Sequence, residues 1–335
     1  MFRSAANPVL RLVFSPTLLL FYLIHQGEIL PFVAPMFVVI FLTIMPSKPP
    51  LYIFLKLLVV VVVISIGVAL FWGVVMHSPV GIVLFCWVGV FWSFYRSHNN
   101  PKDMLGTYLL LFTIIIFIVN RQFNISVSIM PWLTLKTFLI TILVTYVSFM
   151  LFPGDEQDIK ADEKAMSGAK THLGLIAFKS TILMIVMYLL ISTESSQSLL
   201  IAITVGSMIK IPISRDQRIF RNNRVIATLV GILATLPIMV AQYFFVVSQW
   251  MLIGISCFMG LQMARFAIWR KCKLSVYQLM FTNFIVLLNQ IVTYHGNQPF
   301  SVEITRFASI SIAILFATII LNLAQFCSTS HSGPR

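Results

Sequence analysis

The sequence predicts an all-α, polytopic transmembrane bundle of about twelve helices, arranged as two parallel six-helix repeats. Hydrophobic residues make up 59% of the 335 residues and charged residues only 10%, with a mean hydropathy of +0.95. A soluble domain carries roughly 25% charged residues, so lipid is the expected solvent of this chain. Long unbroken apolar runs, such as residues 57–70, favour helices over the alternating strands of a barrel.

Each predicted span is an apolar run near the roughly 20 residues that cross a bilayer. Arg3 and Arg11 precede the first run, as in a signal peptide. No small-x-small cleavage site follows, so we expect an uncleaved first helix. The candidate spans lie near 9–24, 29–45, 54–76, 79–95, 104–120, 132–152, 172–191, 196–210, 225–247, 249–267, 276–293 and 304–326.

The distribution of basic residues predicts that both termini are cytoplasmic. With the N-terminus inside, nearly all of the 23 lysines and arginines belong to inside segments, and Arg11 and Lys179 are counted among them. Only Arg121 and Arg306 fall outside, and Lys136 falls within a span. Because missing one central span would destroy this asymmetry, the positive-inside rule favours an even number of crossings.

Residues 153–171 form the one hydrophilic stretch, which we interpret as a cytoplasmic linker. It separates residues 1–152, the first six-helix repeat, from residues 172–335, the second. Matching residues recur in the same order in both halves, and an even number of spans per half orients the halves alike. The pairs are Glu28 and Glu194, Pro46 and Pro212, Gly67 and Gly231, Arg96 and Arg265, Thr113 and Thr282, Asn120 and Asn289, and Lys136 and Arg306.

Two cations in the outer part of the predicted bundle are the main candidates for a binding site. Lys136 and Arg306 hold equivalent places in the two halves, on the side that is otherwise poor in cations. Ionisable residues in a membrane are costly and are therefore functional candidates, and here they predict an anion site in a shared polar cavity. The alternative is that both side chains extend to the lipid headgroups. The neighbouring candidates for substrate binding are Asn120, Arg121, Asn289, Gln290 and His295, although such polar residues also bond between packed helices.

Acidic residues outside the linker are scarce, and none is predicted at mid-membrane. Glu28, Glu194 and Glu303 lie toward the outside and are candidates for proton coupling. The alternative is that they are solvated loop residues.

A basic loop after the eighth span carries Arg215, Arg218, Arg221 and Arg224. Topology and attraction to anionic lipid explain such a loop. An intracellular funnel for anions is the functional interpretation.

Several classes of function are disfavoured by the sequence. The net charge of +13 is explained by topology, so no nucleic-acid partner is expected. The four cysteines lack metal-ligand spacing, and no Walker, H-E-x-x-H or G-x-S-x-G motif occurs. His98 and Asp103 form H-x-x-x-x-D in a short loop without a soluble domain. We therefore expect no enzyme activity, no metal and no cofactor.

Residues Ile211–Thr235, IPISRDQRIFRNNRVIATLVGILAT, together with the two-repeat layout, resemble the fusaric-acid-resistance and aromatic-acid-exporter superfamily. Arg224, Thr228 and Gly231 match in part that family's R-x-x-G-T-x-x-G-like entry into a helix. The chain would be a compact branch, because the large cytoplasmic domain of bigger members is replaced by the short linker.

The resemblance implies a multi-pass protein of the bacterial inner membrane that exports small organic anions, especially aromatic carboxylates. Such exporters work beside a periplasmic membrane-fusion adaptor, and a homo-oligomer is compatible with the family. Plant anion channels of similar layout make passive conduction an alternative. A non-transporting membrane scaffold for an adaptor is a third reading.

Overall fold

The structure is a computed structural model that describes residues 6–44, 50–75, 78–99, 104–123, 129–154, 173–192, 198–209, 217–245, 247–270, 272 and 274–293. Within these ranges every regular element is a helix and no strand occurs. The all-α prediction is therefore confirmed for this part of the chain.

Eleven helices occur within the described ranges, and most begin and end within a few residues of the predicted spans. They are α1 (Asn7–His25), α2 (Val33–Ile44), α3 (Leu51–Val75), α4 (Pro79–Asn99), α5 (Met104–Phe123), α6 (Met130–Leu151), α7 (Leu173–Ser192), α8 (Ser198–Ile209), α9 (Gln217–Phe244), α10 (Gln249–Trp269) and α11 (Leu274–Thr293). The twelfth predicted span, near 304–326, lies outside the described residues.

Seven of the described helices are long and apolar enough to cross a membrane, namely α1, α3, α4, α6, α7, α10 and α11. Shorter apolar helices cover Val33–Thr43, Leu105–Arg121 and Leu229–Phe244. The described parts of α2 and α8 have 12 residues each. At about 1.5 Å per residue these parts are shorter than a hydrocarbon core of about 30 Å. A multi-pass membrane protein is thus supported, and the count of twelve crossings stays a prediction.

The chain forms two compact units. The first comprises residues 1–59, 135–163 and 222–302. Within it α1 packs on α2, α10 and α11, and α11 also packs on α2 and α10. The core is apolar and fully buried around Leu20, Val38, Leu42, Ile285 and Leu288. These side chains pack against one another and form the hydrophobic core of the first unit.

The second unit comprises residues 60–134, 164–221 and 303–335. Within it α4 packs on α5 and α7, α7 packs on α5 and α8, and α5 packs on α8. Glycines allow the close approach of these helices. A side-chain carbon at Gly89 would lie 2.9 Å from the Thr113 Oγ1, and one at Gly206 would lie 2.8 Å from the Ile114 Cδ1.

Each helix can be numbered by its order within its predicted half, so that α7 is the first helix of the second half. With this numbering, the same pairs of helices pack in both units. The first unit combines the first two helices of the first half with the fourth and fifth of the second, α10 and α11. The second unit combines α7 and α8 with α4 and α5. Each unit therefore takes helices from both predicted halves. The predicted division at the linker, residues 153–171, and the two-repeat arrangement stay predictions.

Candidate functional site

An ion pair joins two residues that the sequence suggested for separate roles. The Lys136 Nζ donates to the Glu28 carboxylate within the first unit. The lysine side chain is 45% exposed and the glutamate side chain is 20% exposed. The candidate substrate cation and one candidate proton-coupling acid are thus direct partners, which the sequence did not predict.

Glu28 is held in place by the way α1 ends. Gly27 has a φ of +67°, the left-handed conformation that glycine adopts readily. Its N–H donates to the Ile24 carbonyl, and the Glu28 N–H donates to the Leu23 carbonyl. These two bonds form a Schellman cap, which reverses the chain at the end of the helix. The cap fixes the backbone from which the Glu28 side chain reaches Lys136.

Lys136 is positioned by the packing of α6 on α2. The Phe138 ring lies 4.8 Å from the Phe37 ring between centroids, and it also contacts Phe41. The Thr141 Oγ1 donates to the Ala34 carbonyl at 3.4 Å. Because Phe138 and Thr141 follow Lys136 closely on the same helix, these contacts set the lysine's distance from Glu28.

Two predicted site residues of α11 are buried in the first unit. Asn289 is 8% exposed, and its Oδ1 accepts from the Thr293 Oγ1 at 3.4 Å. Gln290 is 7% exposed, and its Oε1 has no hydrogen-bond partner among the described residues. Asn120 and Arg121 lie instead at the end of α5 in the second unit, where the arginine is exposed. The described structure therefore divides the predicted substrate-binding residues between two units.

Several predicted site residues fall outside the described part of the chain. Arg306, the proposed partner of Lys136, is among them, so a shared cavity stays a prediction. The others are Glu194, Arg215, His295 and Glu303.

The predicted basic loop is partly helical. Helix α9 begins at Gln217, eight residues before the predicted span at 225, so the backbones of Arg218, Arg221 and Arg224 belong to it. Arginine and glutamine are good helix formers, and no proline or glycine interrupts residues 217–224. These three arginines recur every third residue, which places them on neighbouring positions of one helix face.

Arg11 is a buried cation whose role sequence reasoning missed. It lies in α1 with 0% exposure, and its Nη1 donates to the Gly154 carbonyl at 2.8 Å. Its guanidinium stacks on the Phe149 ring at 4.3 Å. Asn7 donates to the Pro153 carbonyl at 2.7 Å. Together these contacts fasten the end of α6, and the start of the predicted linker, to α1.

Lys179 is a second buried cation, 5% exposed, in α7 of the second unit. One turn further along α7, Leu183 lies beside Gly206 together with Ile114, which is in the middle of α5. Lys179 is therefore about 6 Å along the helix axis from the level of the α5 midpoint. Like Arg11, it was treated as a topological charge, although both positions lie inside predicted spans. A charged residue inside a predicted span is itself a sign of a functional candidate, and this sign could have identified both residues.

Lysine and arginine side chains are the described groups that could bind an anion by charge. Three of the described cations have defined surroundings. Arg11 and Lys179 are buried, and Lys136 is paired with Glu28. Among the described residues no group of three or more His, Cys, Asp or Glu side chains is arranged to hold a metal ion.

Comparison with known proteins gives one family match. Residues 8–148, from α1 to α6, match a family described as "Protein of unknown function (DUF2955)". The match lies within the first predicted repeat. No curated protein and no solved structure matches the chain significantly.

Proposed function

We propose that this chain exports small organic anions, chiefly aromatic carboxylates, across a bacterial inner membrane into the periplasm, beside a membrane-fusion adaptor. It acts as a transport protein rather than an enzyme. The observation that carries the proposal is the Lys136–Glu28 ion pair, because it holds a cation ready for a carboxylate. The predicted layout of two related halves and the resemblance to aromatic-acid exporters support the same assignment.

The substrate binds by exchange of carboxylates. In the pair, Glu28 occupies the position that a substrate carboxylate takes on Lys136. Since the pair is partly exposed, its net stabilisation is only about 0–1 kcal/mol. An anion from solution can therefore displace Glu28 without a large cost. Glu28, once the substrate has displaced it from Lys136, is the candidate carboxylate for coupling anion export to proton movement.

Each unit holds a buried cation that is a candidate for contact with the anion, Arg11 in the first unit and Lys179 in the second. Arg11 lies near the end of α6 that continues into the predicted cytoplasmic linker, and Lys179 lies near mid-depth in α7. Intramembrane cations are costly and typically mark an ion pathway. The arginines at the start of α9 attract anions to the cytoplasmic face before they enter.

Transport is tested with the purified full-length chain in proteoliposomes, by following the flux of radiolabelled benzoate. The variants are Lys136→Gln and Glu28→Gln, with Lys56→Gln as the control because Lys56 is an exposed cation on α3. Loss of a charged hydrogen bond of about 1–3 kcal/mol should raise the KM of Lys136→Gln roughly five- to a hundredfold. Lys136→Gln combined with Arg306→Gln should be worse than either single change.

Glu28→Gln should have the opposite effect on KM, because it removes the carboxylate that competes with the substrate. It should also lose the stimulation of flux by an imposed pH gradient. If both single variants raise KM alike, the pair serves only to hold α6 to the α1–α2 connection. Normal flux in both would defeat the anion-site assignment.

The same measurements separate export from the alternatives. Saturable flux that responds to the pH gradient supports the transporter. Non-saturable current that follows voltage alone would indicate a channel. No flux of any organic anion, with intact protein in the membrane, would indicate a scaffold.

A further inference from the structure

One face of α6 is exposed along most of the helix. The exposed residues are separated by three or four positions, which is the spacing of a single helix face. Those that belong to the first unit are here called the α6 stripe, and they are Lys136, Leu139, Leu143, Val147 and Met150. Four of the five are apolar, and Leu143 is 64% exposed. On a membrane helix such an apolar face has the acyl chains of lipid as its natural surroundings.

The opposite face of α6 packs on the rest of the first unit. Phe138 is buried against Phe37 of α2. Nearer the other end of α6, the Ser148 and Ser15 hydroxyl oxygens lie 2.6 Å apart and join the helix to α1. Lys136 therefore belongs to the outward face of α6 and not to the packed one.

The position of Lys136 along α6 places it at the depth of lipid acyl chains. The helix has 22 residues, about 33 Å at 1.5 Å per residue, which matches a hydrocarbon core of about 30 Å. Lys136 follows Met130, the first residue of α6, by six positions, so it lies about 9 Å inside that end. A lysine at this depth is costly unless an anion accompanies it. In this structure the accompanying anion is Glu28.

The rest of the α6 stripe offers an apolar surface that begins beside this cation. It starts at Leu139, about one turn from Lys136, and continues to Met150, away from the Met130 end. From Lys136 to Met150 the surface is about 21 Å long at 1.5 Å per residue. The shape and charge therefore fit a molecule with an anionic head and a long apolar chain. Its chain would run toward the middle of the bilayer, as the chain of a lipid-soluble acid does in a leaflet.

We propose that the α6 stripe binds a long-chain carboxylic acid from the membrane leaflet. The carboxylate takes the place of Glu28 on the Lys136 Nζ, and the chain lies along Leu139, Leu143 and Val147. This inference rests on the proposed function for the exchange of carboxylates at Lys136, and it extends the substrate class to amphipathic acids. Selectivity comes from the charged head, because an apolar chain gains little when it moves from lipid to an apolar helix face.

The test uses palmitic acid that carries a photoreactive diazirine at mid-chain, with the purified full-length protein in phosphatidylcholine nanodiscs. The neutral comparison is hexadecanol with the same diazirine. At subsaturating probe and a pH at which the acid is ionised, peptide mass spectrometry locates the attached label. Residues 139–150 should be labelled roughly five- to a hundredfold more by the acid than by the alcohol, the range expected for a charged hydrogen bond.

Variants assign this preference to the lysine. Lys136→Gln should reduce labelling by the acid to the level of the alcohol, and Lys136→Arg should keep most of it. Lys56→Gln is the matched control, because Lys56 is an exposed cation on α3 with the exposed apolar neighbours Leu55 and Val59. It should leave labelling of the α6 stripe unchanged.

Four results would overturn the inference. They are equal labelling by acid and alcohol, labelling that survives Lys136→Gln, labelling around Lys56 as strong as that of the stripe, and loss of labelling when phosphatidylglycerol replaces part of the phosphatidylcholine. The third would mean that the acid follows any exposed lysine, and the last that the site takes lipid phosphates. Oxidative linking of two copies through Leu143→Cys, without labelling, would identify the stripe as a dimer contact and also overturn it.

Benzoate flux in proteoliposomes separates this inference from the proposed function. Flux of benzoate without selective labelling of the stripe refutes the long-chain acid site alone. Selective labelling without benzoate flux supports the long-chain acid site and refutes the export of small aromatic acids.

Discussion

Val13 of α1 occupies the space that a side chain at Gly260 of α10 would need. A carbon added at position 260 would lie 2.8 Å from the Val13 Cγ1, which is closer than real Cβ contacts. Gly260 is buried, and Val13 is 1% exposed. The contact between α1 and α10 in the first unit therefore depends on the absence of a side chain at this position, as is common between packed membrane helices.

Gly260→Ala should destabilise the protein by about 1–3 kcal/mol, the usual cost of overpacking. Valine has a stiff side chain and cannot easily turn away. Gly254 is on the same helix with nothing within 4 Å, so Gly254→Ala should be neutral or slightly stabilising. Thermal unfolding in detergent, followed by size-exclusion chromatography, measures both. Equal melting of the two variants would contradict the assigned packing.

Gly27→Ala should disturb the Lys136–Glu28 ion pair through the backbone that carries Glu28. Alanine at a φ of +67° costs about 1–2 kcal/mol, so the cap that presents Glu28 to Lys136 should shift. Asparagine tolerates this conformation, and Gly27→Asn should be close to wild type. Benzoate flux and its pH dependence are the readouts, with Gly174→Ala as a control at an open position. If Gly27→Ala matched Gly27→Asn, the cap would have no part in positioning Glu28.

Arg11→Ala should lower the stability and membrane abundance of the protein. It removes a charged hydrogen bond to the Gly154 carbonyl and the stacking on Phe149. Such interactions contribute about 2–3 kcal/mol in a desolvated setting. Arg270 is the control, because it also stacks on an aromatic ring, Trp269, but is exposed. Immunoblots of membrane fractions and thermal unfolding compare the variants. If Arg11→Ala were as abundant and as stable as the wild type, the contacts of Arg11 would not hold the end of α6 to α1.

Lys179→Met should reduce anion flux, because it removes a buried positive charge from a predicted span. Methionine is close to the lysine stem in length and keeps its apolar contacts. Lys179→Arg keeps the charge and should retain part of the flux. Flux in proteoliposomes and the unfolding temperature are measured together. A variant that transports normally would place Lys179 outside the anion path, and a lower unfolding temperature would indicate a structural role.

Reporter fusions at Ala161 and Arg335 should be active only with cytoplasmic reporters, since the basic residues lie mostly on that side. The α10–α11 connection should share this location, and Cys272 reports on it. Burial raises the pKa of the Cys272 thiol more than the nearby Arg270 lowers it. The thiolate is the reactive form, so maleimide labelling from the cytoplasmic side should be slow at neutral pH and faster as the pH rises. A periplasmic signal from either fusion would break the proposed topology.

The positions of the helices were largely available from the sequence. In lipid the backbone must satisfy its own hydrogen bonds, so each long apolar run must be helical. For this reason α4, α7 and α10 begin within a residue or so of the predicted spans. The polar start of α9 at Gln217 was not predicted, because hydropathy locates apolar runs and gives no information on a polar helical extension.

The partners of the site residues were decided only by the tertiary structure. Lys136 and Glu28 are 108 residues apart, and nothing local to either one indicates the other. Helices such as α7 and α10 are apolar on every side, so their hydropathy does not reveal which face turns inward. The burial of Lys179 follows from the helices that pack against α7, namely α4, α5 and α8. The sequence alone determined that this chain lies in a membrane as helices. Packing determined which of its few polar groups meet. Sequence could not decide this, because an apolar side chain has equally apolar surroundings in lipid and in the protein interior.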